Sequence, residues 1–208
     1  MKITYTKLFW IYILASVFGV LSEAVYCLVQ HGYWEIHVVS MIGPFCILYG
    51  IGAVVFYVCY AFTCNKHLVI QYFTYAFAGT IVELLAGLLL EFWLHMKAWD
   101  YSEQFLNIRG HVSFPMFLAW GIMGMAFSII LPYADKALGK LQGKFWKIAT
   151  IIFSIIMALD LLLTAVSISR WSERHFKVPA NNSFEEYLDE KYDNKFMKDR
   201  FCEWWFID

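Results

Sequence analysis

Apolar positions fill five long stretches of the chain, separated by short polar segments. They run from about Leu8 to Val29, Met41 to Phe62, Leu68 to Leu94, Phe114 to Leu131 and Phe145 to Ser169. A helix needs about 20 predominantly apolar residues to cross roughly 30 Å of hydrocarbon. Backbone groups in lipid must bond within their own segment, so the pattern predicts five transmembrane helices. Runs such as Ile151–Met157 do not alternate as the strands of a membrane barrel would. Between Lys7 and Lys66 there is no Lys or Arg at all, which a water-facing segment of that length would not tolerate.

Composition agrees with the pattern. The 208 residues are 61 % hydrophobic and 16 % charged, against about a quarter charged in a soluble domain. A net charge of -1 excludes a basic nucleic-acid binder, because phosphate contacts need clustered Lys and Arg. The 19 Phe, 13 Tyr and 9 Trp exclude intrinsic disorder. The first apolar stretch follows Lys2 and Lys7 as a secretory signal would, but it contains Glu23 and ends without a small-residue cleavage site, so a retained helix is expected. The expectation is a multi-pass protein of the cell membrane.

Basic residues near span ends set orientation. Lys2, Lys7, Lys66, Lys136, Lys140, Lys144 and Lys147 fall on one side of a five-span chain, and Lys97 and Arg109 on the other. This distribution favours a cytoplasmic amino terminus. The tail opposes it, since Arg170, Arg174, Lys177 and further bases would then lie outside. The cysteines Cys27, Cys46, Cys59, Cys64 and Cys202 form no CxxC pair and read as small apolar residues. His31, His37, His67, His95, His111 and His175 read as interfacial polar residues rather than ligands.

The spans resemble one another. Gly19-x-x-x-Glu23 in the first recurs as Gly79-x-x-x-Glu83 in the third, 60 residues later. Pro44 followed by Tyr49-Gly50 in the second matches Pro115 followed by Trp120-Gly121 in the fourth. The reading is a tandem two-helix repeat, units about 8–62 and 68–131, with an extra span at about 145–169. Tandem units of two spans share one orientation, so a pseudo-two-fold axis would run along the membrane normal. The bundle would occupy residues 1–170 and a polar tail residues 171–208.

Apart from Lys147 at the start of the fifth, the spans hold acids and no bases. Glu23, Glu83 and Asp160 lie deep, and Glu91 sits nearer an interface beside Trp93. A carboxylate at bilayer depth costs about 2.5–3.5 kcal/mol on insertion scales, so these groups face the bundle, pair, protonate or touch water. They form a candidate cavity or a proton or cation site; the alternative is a set of neutral interhelical hydrogen bonds. Small residues recur at four-residue spacing beside them, as at Ala15, Gly19 and Cys27 or at Gly79 and Gly87, and permit close helix approach. No phosphate loop, G-x-S-x-G, H-E-x-x-H or arginine array is present, so the chain carries no ATPase, hydrolase or metalloprotease motif and no voltage sensor. No cofactor is implied.

In the tail, Ser183-Phe-Glu-Glu186 has capping-box spacing. Phe184, Tyr187, Leu188, Tyr192, Phe196 and Phe201 follow at helical intervals, predicting one amphipathic helix that lies on the membrane or docks on the bundle or a partner. The predicted fold is therefore an all-α polytopic membrane bundle with a C-terminal amphipathic helix.

Several runs in combination are similar to the ABC-transporter type IV membrane family. They are Gly19…Glu23…Tyr26, Gly43-Pro44…Tyr49-Gly50-x-Gly52-Ala53, Glu83…Glu91…Trp93, Trp99-Asp100-Tyr101-Ser102, Asn107-x-x-Gly110 and Trp120-Gly121. The likeness covers roughly Phe18 to Leu138. Glu35-Ile36-His37 stands where the family commonly has a basic lead into Gly-Pro, and Ile47 where a further Pro is usual. The resemblance implies a permease-like component of a transport system without its own ATPase, working with a separate ATPase subunit or as a homo-oligomer in the lipid bilayer. The alternative is a non-transporting scaffold or partner-binding protein with structural carboxylates. Trp99, Asp100, Tyr101, Ser102 and Asn107 form a candidate lid loop, expected to fold over the bundle mouth with Glu91 beneath it.

Overall fold

The structure is a computed structural model that describes residues 1–34 and 36–207. Glu35, in the segment that departs from the family pattern, lies outside the described residues. Among the described residues the chain is all-α apart from one short strand pair. In order it forms α1 (Tyr5–His31), α2 (Ile47–Thr63), α3 (Leu68–Leu94), β1 (Met96–Lys97), α4 (Phe114–Leu138), α5 (Lys144–His175), α6 (Ser183–Lys191), α7 (Asn194–Arg200) and β2 (Trp205–Phe206). Among the described residues four helices, α1, α3, α4 and α5, are long and apolar enough to cross a membrane. α2 has 17 residues, about 26 Å of helix, and falls short of that length.

The second predicted span thus begins too early. Met41–Cys46 is loop rather than helix. Gly43 takes φ +83°, open to glycine at no steric cost, and Pro44 after it cannot donate to a helix. Two other helices outrun their predicted ends. α4 continues through Pro132 to Leu138, held below the proline by Asp135, which accepts from Lys7 Nζ at 2.6 Å and from Tyr57 Oη at 2.5 Å. α5 runs to His175 and spans 32 residues, about 48 Å, so one end stands clear of a hydrocarbon core of roughly 30 Å.

α1 to α4 pack in sequence as antiparallel neighbours, and in both pairs the second helix starts well below the end of the first. Cys46 N donates to Ser16 O at 3.1 Å, placing the α2 start against the middle of α1. His111 lies against Gly87 and Trp120 against Gly79, placing the α4 start against the middle of α3. Both intervening loops therefore turn back alongside the long helix that precedes them. Burial follows this arrangement: Phe56, Tyr75 and Trp120 pack between α2, α3 and α4, and Ile11, Ala53, Tyr57 and Leu131 between α1, α2 and α4. α5 runs beside α1, joined by Trp10 Nε1 to Thr150 Oγ1 at 3.1 Å and Tyr5 Oη to Ser154 Oγ at 2.7 Å.

The tail is not one helix but two. Asn182, not Ser183, caps α6: its Oδ1 accepts from Phe184 N and Glu185 N, and Glu185 returns to Asn181 N. Asp193 caps α7 through Phe196 N at 2.7 Å. Two successive caps divide what periodicity alone presents as continuous. The tail then docks on its own bundle. Met197, Phe201 and Trp204 join Leu90, Leu94, Met96, Ile168 and Trp171 in one buried cluster, and β2 pairs antiparallel with β1.

Candidate functional site

Glu83 is 3 % exposed and lies 11 residues before the end of α3, about 16 Å down the helix. Trp120 Nε1 donates to its Oε2 at 2.8 Å and Tyr101 Oη to its Oε1 at 3.1 Å. Both donors are neutral. Burial, reinforced by the Glu83 charge, pushes the Tyr101 phenol well above its ordinary range, so it remains protonated and donating. Gly79 makes this clamp possible, since a Cβ there would sit 2.6 Å from the Trp120 ring.

The loop from Ala98 to Ser113 is built from its own polar groups. Asp100 Oδ1 accepts from Ser102 N at 2.9 Å and from the Ser102 hydroxyl, while Lys97 Nζ lies 3.2 Å from Oδ2. The Ser102 hydroxyl, and then Lys97, hold the Asp100 carboxyl below the usual carboxylate range. Asn107 bonds Ser102 O and Gln104 O and accepts from Gly110 N, and Trp99 Nε1 donates to His111 O at 2.8 Å. Tyr101 N donates to Gly110 O at 2.7 Å. Of the five loop residues singled out in the sequence, Tyr101 reaches a deep acid, and Trp99, Asp100, Ser102 and Asn107 fold the loop.

Glu91 fastens this loop to α3. Arg109 and His111 both bind its carboxylate, His111 Nε2 at 2.5 Å. His111 is 1 % exposed; the missing side chain of Gly87 opens the space it fills.

Glu23 lies in a different setting. Its carboxyl group pairs with the Tyr49 hydroxyl and faces His37, whose Nδ1 is 3.9 Å from Glu23 Oε2 and 3.2 Å from Glu203 Oε1. Glu23 lines a cavity of about 490 Å³ bounded by α2, α3, α5, the returning α1–α2 loop and the tail. Its walls are largely apolar, including Leu48, Ile51, Leu85, Ala86 and Leu161, and His37, Thr164, Arg200 and Glu203 are polar residues of the same lining. Glu83, Glu91 and Asp160 are not among its lining residues.

Asp160 is 3 % exposed and holds the returning loop. Its Oδ1 accepts from Ile42 N at 2.8 Å, and one turn later Thr164 Oγ1 accepts from Met41 N at 2.9 Å. From the tail, Arg200 donates to Ser40 O at 2.8 Å and Gly43 O at 2.6 Å. Burial pulls the Arg200 guanidinium below its ordinary value, and the Asp160 charge opposes that. Arg200 carried no sequence signal, and His37 read only as an interfacial polar residue. Each becomes part of the site only because tail and loop fold back over α5.

The elements define a polytopic α-helical membrane protein with a largely apolar cavity. A family model described as "Putative ABC-transporter type IV" matches residues 10–165, three quarters of the chain, and the chain belongs to that family. The match ends before Arg170 and the tail. No curated protein and no solved structure matches the chain.

Proposed function

We propose that this chain is the permease-like membrane component of a transport system whose ATPase is a separate subunit. The supporting observation is the cavity of about 490 Å³ that reaches Glu23 within the bundle; its size lies in the range of small-molecule sites. In this reading the chain crosses the membrane five times, α2 completing its crossing with the returning loop. The amino terminus is cytoplasmic.

Paired contacts support a tandem repeat in the same reading. Gly19 faces the Tyr49 ring as Gly79 faces Trp120, and Gly50 faces Tyr12 as Gly121 faces Tyr72. Glu23 pairs with Tyr49 and Glu83 with Trp120. The two units have diverged in use: Glu83 is saturated by its partners, whereas Glu23 lines the cavity. The Asp100 loop closes the second unit as a lid. The saturated Glu83 also favours, for that residue, the second reading of a scaffold with structural carboxylates.

The test is purification from native membranes with partners retained, then uptake in proteoliposomes. Copurification of an ATPase, with uptake lost on Glu23→Gln, supports the transport reading. A chain that purifies without an ATPase and supports no uptake is the scaffold.

A further inference from the structure

Charge is divided unevenly between the two ends of the bundle. The end where α1 begins also holds the α2–α3 and α4–α5 turns, and it carries Lys2, Lys66, Lys136, Lys140, Lys144 and Lys147. Among the described residues its one acid is Asp135, already engaged by Lys7 and Tyr57. Those six lysines are exposed, and none makes an ion pair or a side-chain hydrogen bond with another described residue. At the opposite end Lys97, Arg109, Arg170 and Arg174 are each paired with an acid. Four of the unpaired lysines, Lys136, Lys140, Lys144 and Lys147, flank or lie in the single turn at 139–143. Two of them continue apolar stripes. Ile129, Tyr133 and Lys136 follow one another on α4 at spacings of four and three, and Ile155, Ile151, Ile148 and Lys144 on α5 at four, three and four. Residues so spaced share one helix face, and every apolar member is exposed. Each stripe thus runs from a surface suited to hydrocarbon to a lysine at its edge, the level of lipid phosphates. Lys144 and Lys147 also occupy the first turn of α5, where the helix dipole disfavours a cation and no acid offsets them.

We infer that this corner binds a phospholipid whose head carries two phosphates, held by Lys136, Lys140, Lys144 and Lys147, with its chains along the two apolar stripes. Four like charges around one turn repel each other until an outside anion joins them, and two phosphates match four lysines where one leaves half of them unmet. The corner is held ready for a ligand, because α1 ties α4 through Lys7 and Asp135 and α5 through Trp10 and Thr150. A lipid fits better than an acidic protein surface, because Lys136 and Lys144 extend faces that a bilayer covers rather than the end of the bundle alone. This binding goes beyond the transport reading and does not depend on it.

The test uses the full chain in an uncharged detergent, with bound lipids counted by native mass spectrometry. Diphosphatidylglycerol, phosphatidylglycerol and phosphatidylcholine of matched chains are titrated. One diphosphatidylglycerol should be retained at least about tenfold more tightly than phosphatidylcholine, with phosphatidylglycerol between them. Joint Lys140→Gln and Lys144→Gln substitution should weaken it about thirtyfold, each lysine near a lipid surface being worth about fivefold. Joint Lys140→Arg and Lys144→Arg substitution should keep the binding, and Lys195→Gln, at an exposed lysine of the tail, should leave it unchanged. The replaced lysines have no partners within the chain, so these variants should fold as wild type does, which thermal unfolding checks. Equal retention of phosphatidylcholine, phosphatidylglycerol as tight as diphosphatidylglycerol, or a double Gln variant no weaker than Lys195→Gln overturns the inference. Displacement of the lipid by inorganic pyrophosphate also overturns it, since the site would then take a soluble anion. A double Gln variant that releases a copurifying ATPase and keeps its lipid makes this surface a protein dock and refutes the lipid site.

Discussion

The Trp120 indole donates to Glu83 at 2.8 Å while its ring covers Gly79, one turn earlier on the same helix. The glycine, the acid and the indole thus form one unit joining α3 to α4. Trp120→Phe removes the donor and leaves a buried carboxylate oxygen short of a partner, at a cost of about 1–3 kcal/mol. Gly79→Ala places a Cβ against the same ring, an overpacking cost of about 1–3 kcal/mol. Thermal unfolding in detergent should show both variants less stable than wild type; an unchanged midpoint for both would remove the clamp from the account.

Helix direction is open to labelling. Lys7 at the start of α1 meets Asp135 at the end of α4, and β1 after α3 pairs with β2 at the end of the tail. Single cysteines at positions 65 and 142, on a background lacking the native cysteines, should be modified from the same side of the membrane. One at position 187 should be modified from the other. Positions 65 and 142 labelled from opposite faces would refute the five-span reading.

Asp100 organises the candidate lid from outside the bundle, through Ser102 and Lys97. Asp100→Ala should leave membrane insertion unchanged, increase protease cleavage between positions 98 and 113, and reduce uptake. If uptake is unaffected while the loop is demonstrably loosened, the loop anchors the helices and is no lid.

Asp189 ties the tail to the projecting end of α5 through the buried Arg170, at 2.7 Å, and through Arg174. Those partners, Arg170 first, hold its carboxyl below the usual range. The unfolded chain therefore takes up this proton at a higher pH than the folded one, and the link is fully present above the ordinary Asp value of about 4. It is lost as pH falls through the depressed folded value. Asp189→Asn should destabilise tail docking by about 2–3 kcal/mol at pH 7, because Arg170 is left buried with Glu173 as its remaining acid within 3 Å. Limited proteolysis of the tail should show this, and the gap between variant and wild type should close towards pH 3. A gap independent of pH would place the effect elsewhere.

Sequence determined what hydrophobicity and local chemistry decide. The long apolar stretches, the scarcity of bases within them and the paired Gly-x-x-x-Glu spacing each belong to residues close in the chain, and the solvent imposes them directly. α3 was legible to its ends for that reason: His67 and His95 bound a run of 27 residues without a breaker. The same hydrophobicity was blind to Met41–Cys46, where apolar residues line a turned-back loop, because composition does not register that Gly43 and Pro44 break the helix. It was also blind to the ends of α4 and α5, whose polar last turns are kept helical by Lys7 and Asp189 from elsewhere in the chain. Partners were decided by tertiary structure alone. Sequence separated the four acids only by depth, yet Glu83 received an indole and a phenol, Glu91 a guanidinium and an imidazole, Asp160 a backbone amide, and Glu23 a cavity. A carboxylate's role is set by which donors folding brings within about 3 Å, and those donors lie between 18 and 118 residues away along the chain for Glu83, Glu91 and Asp160.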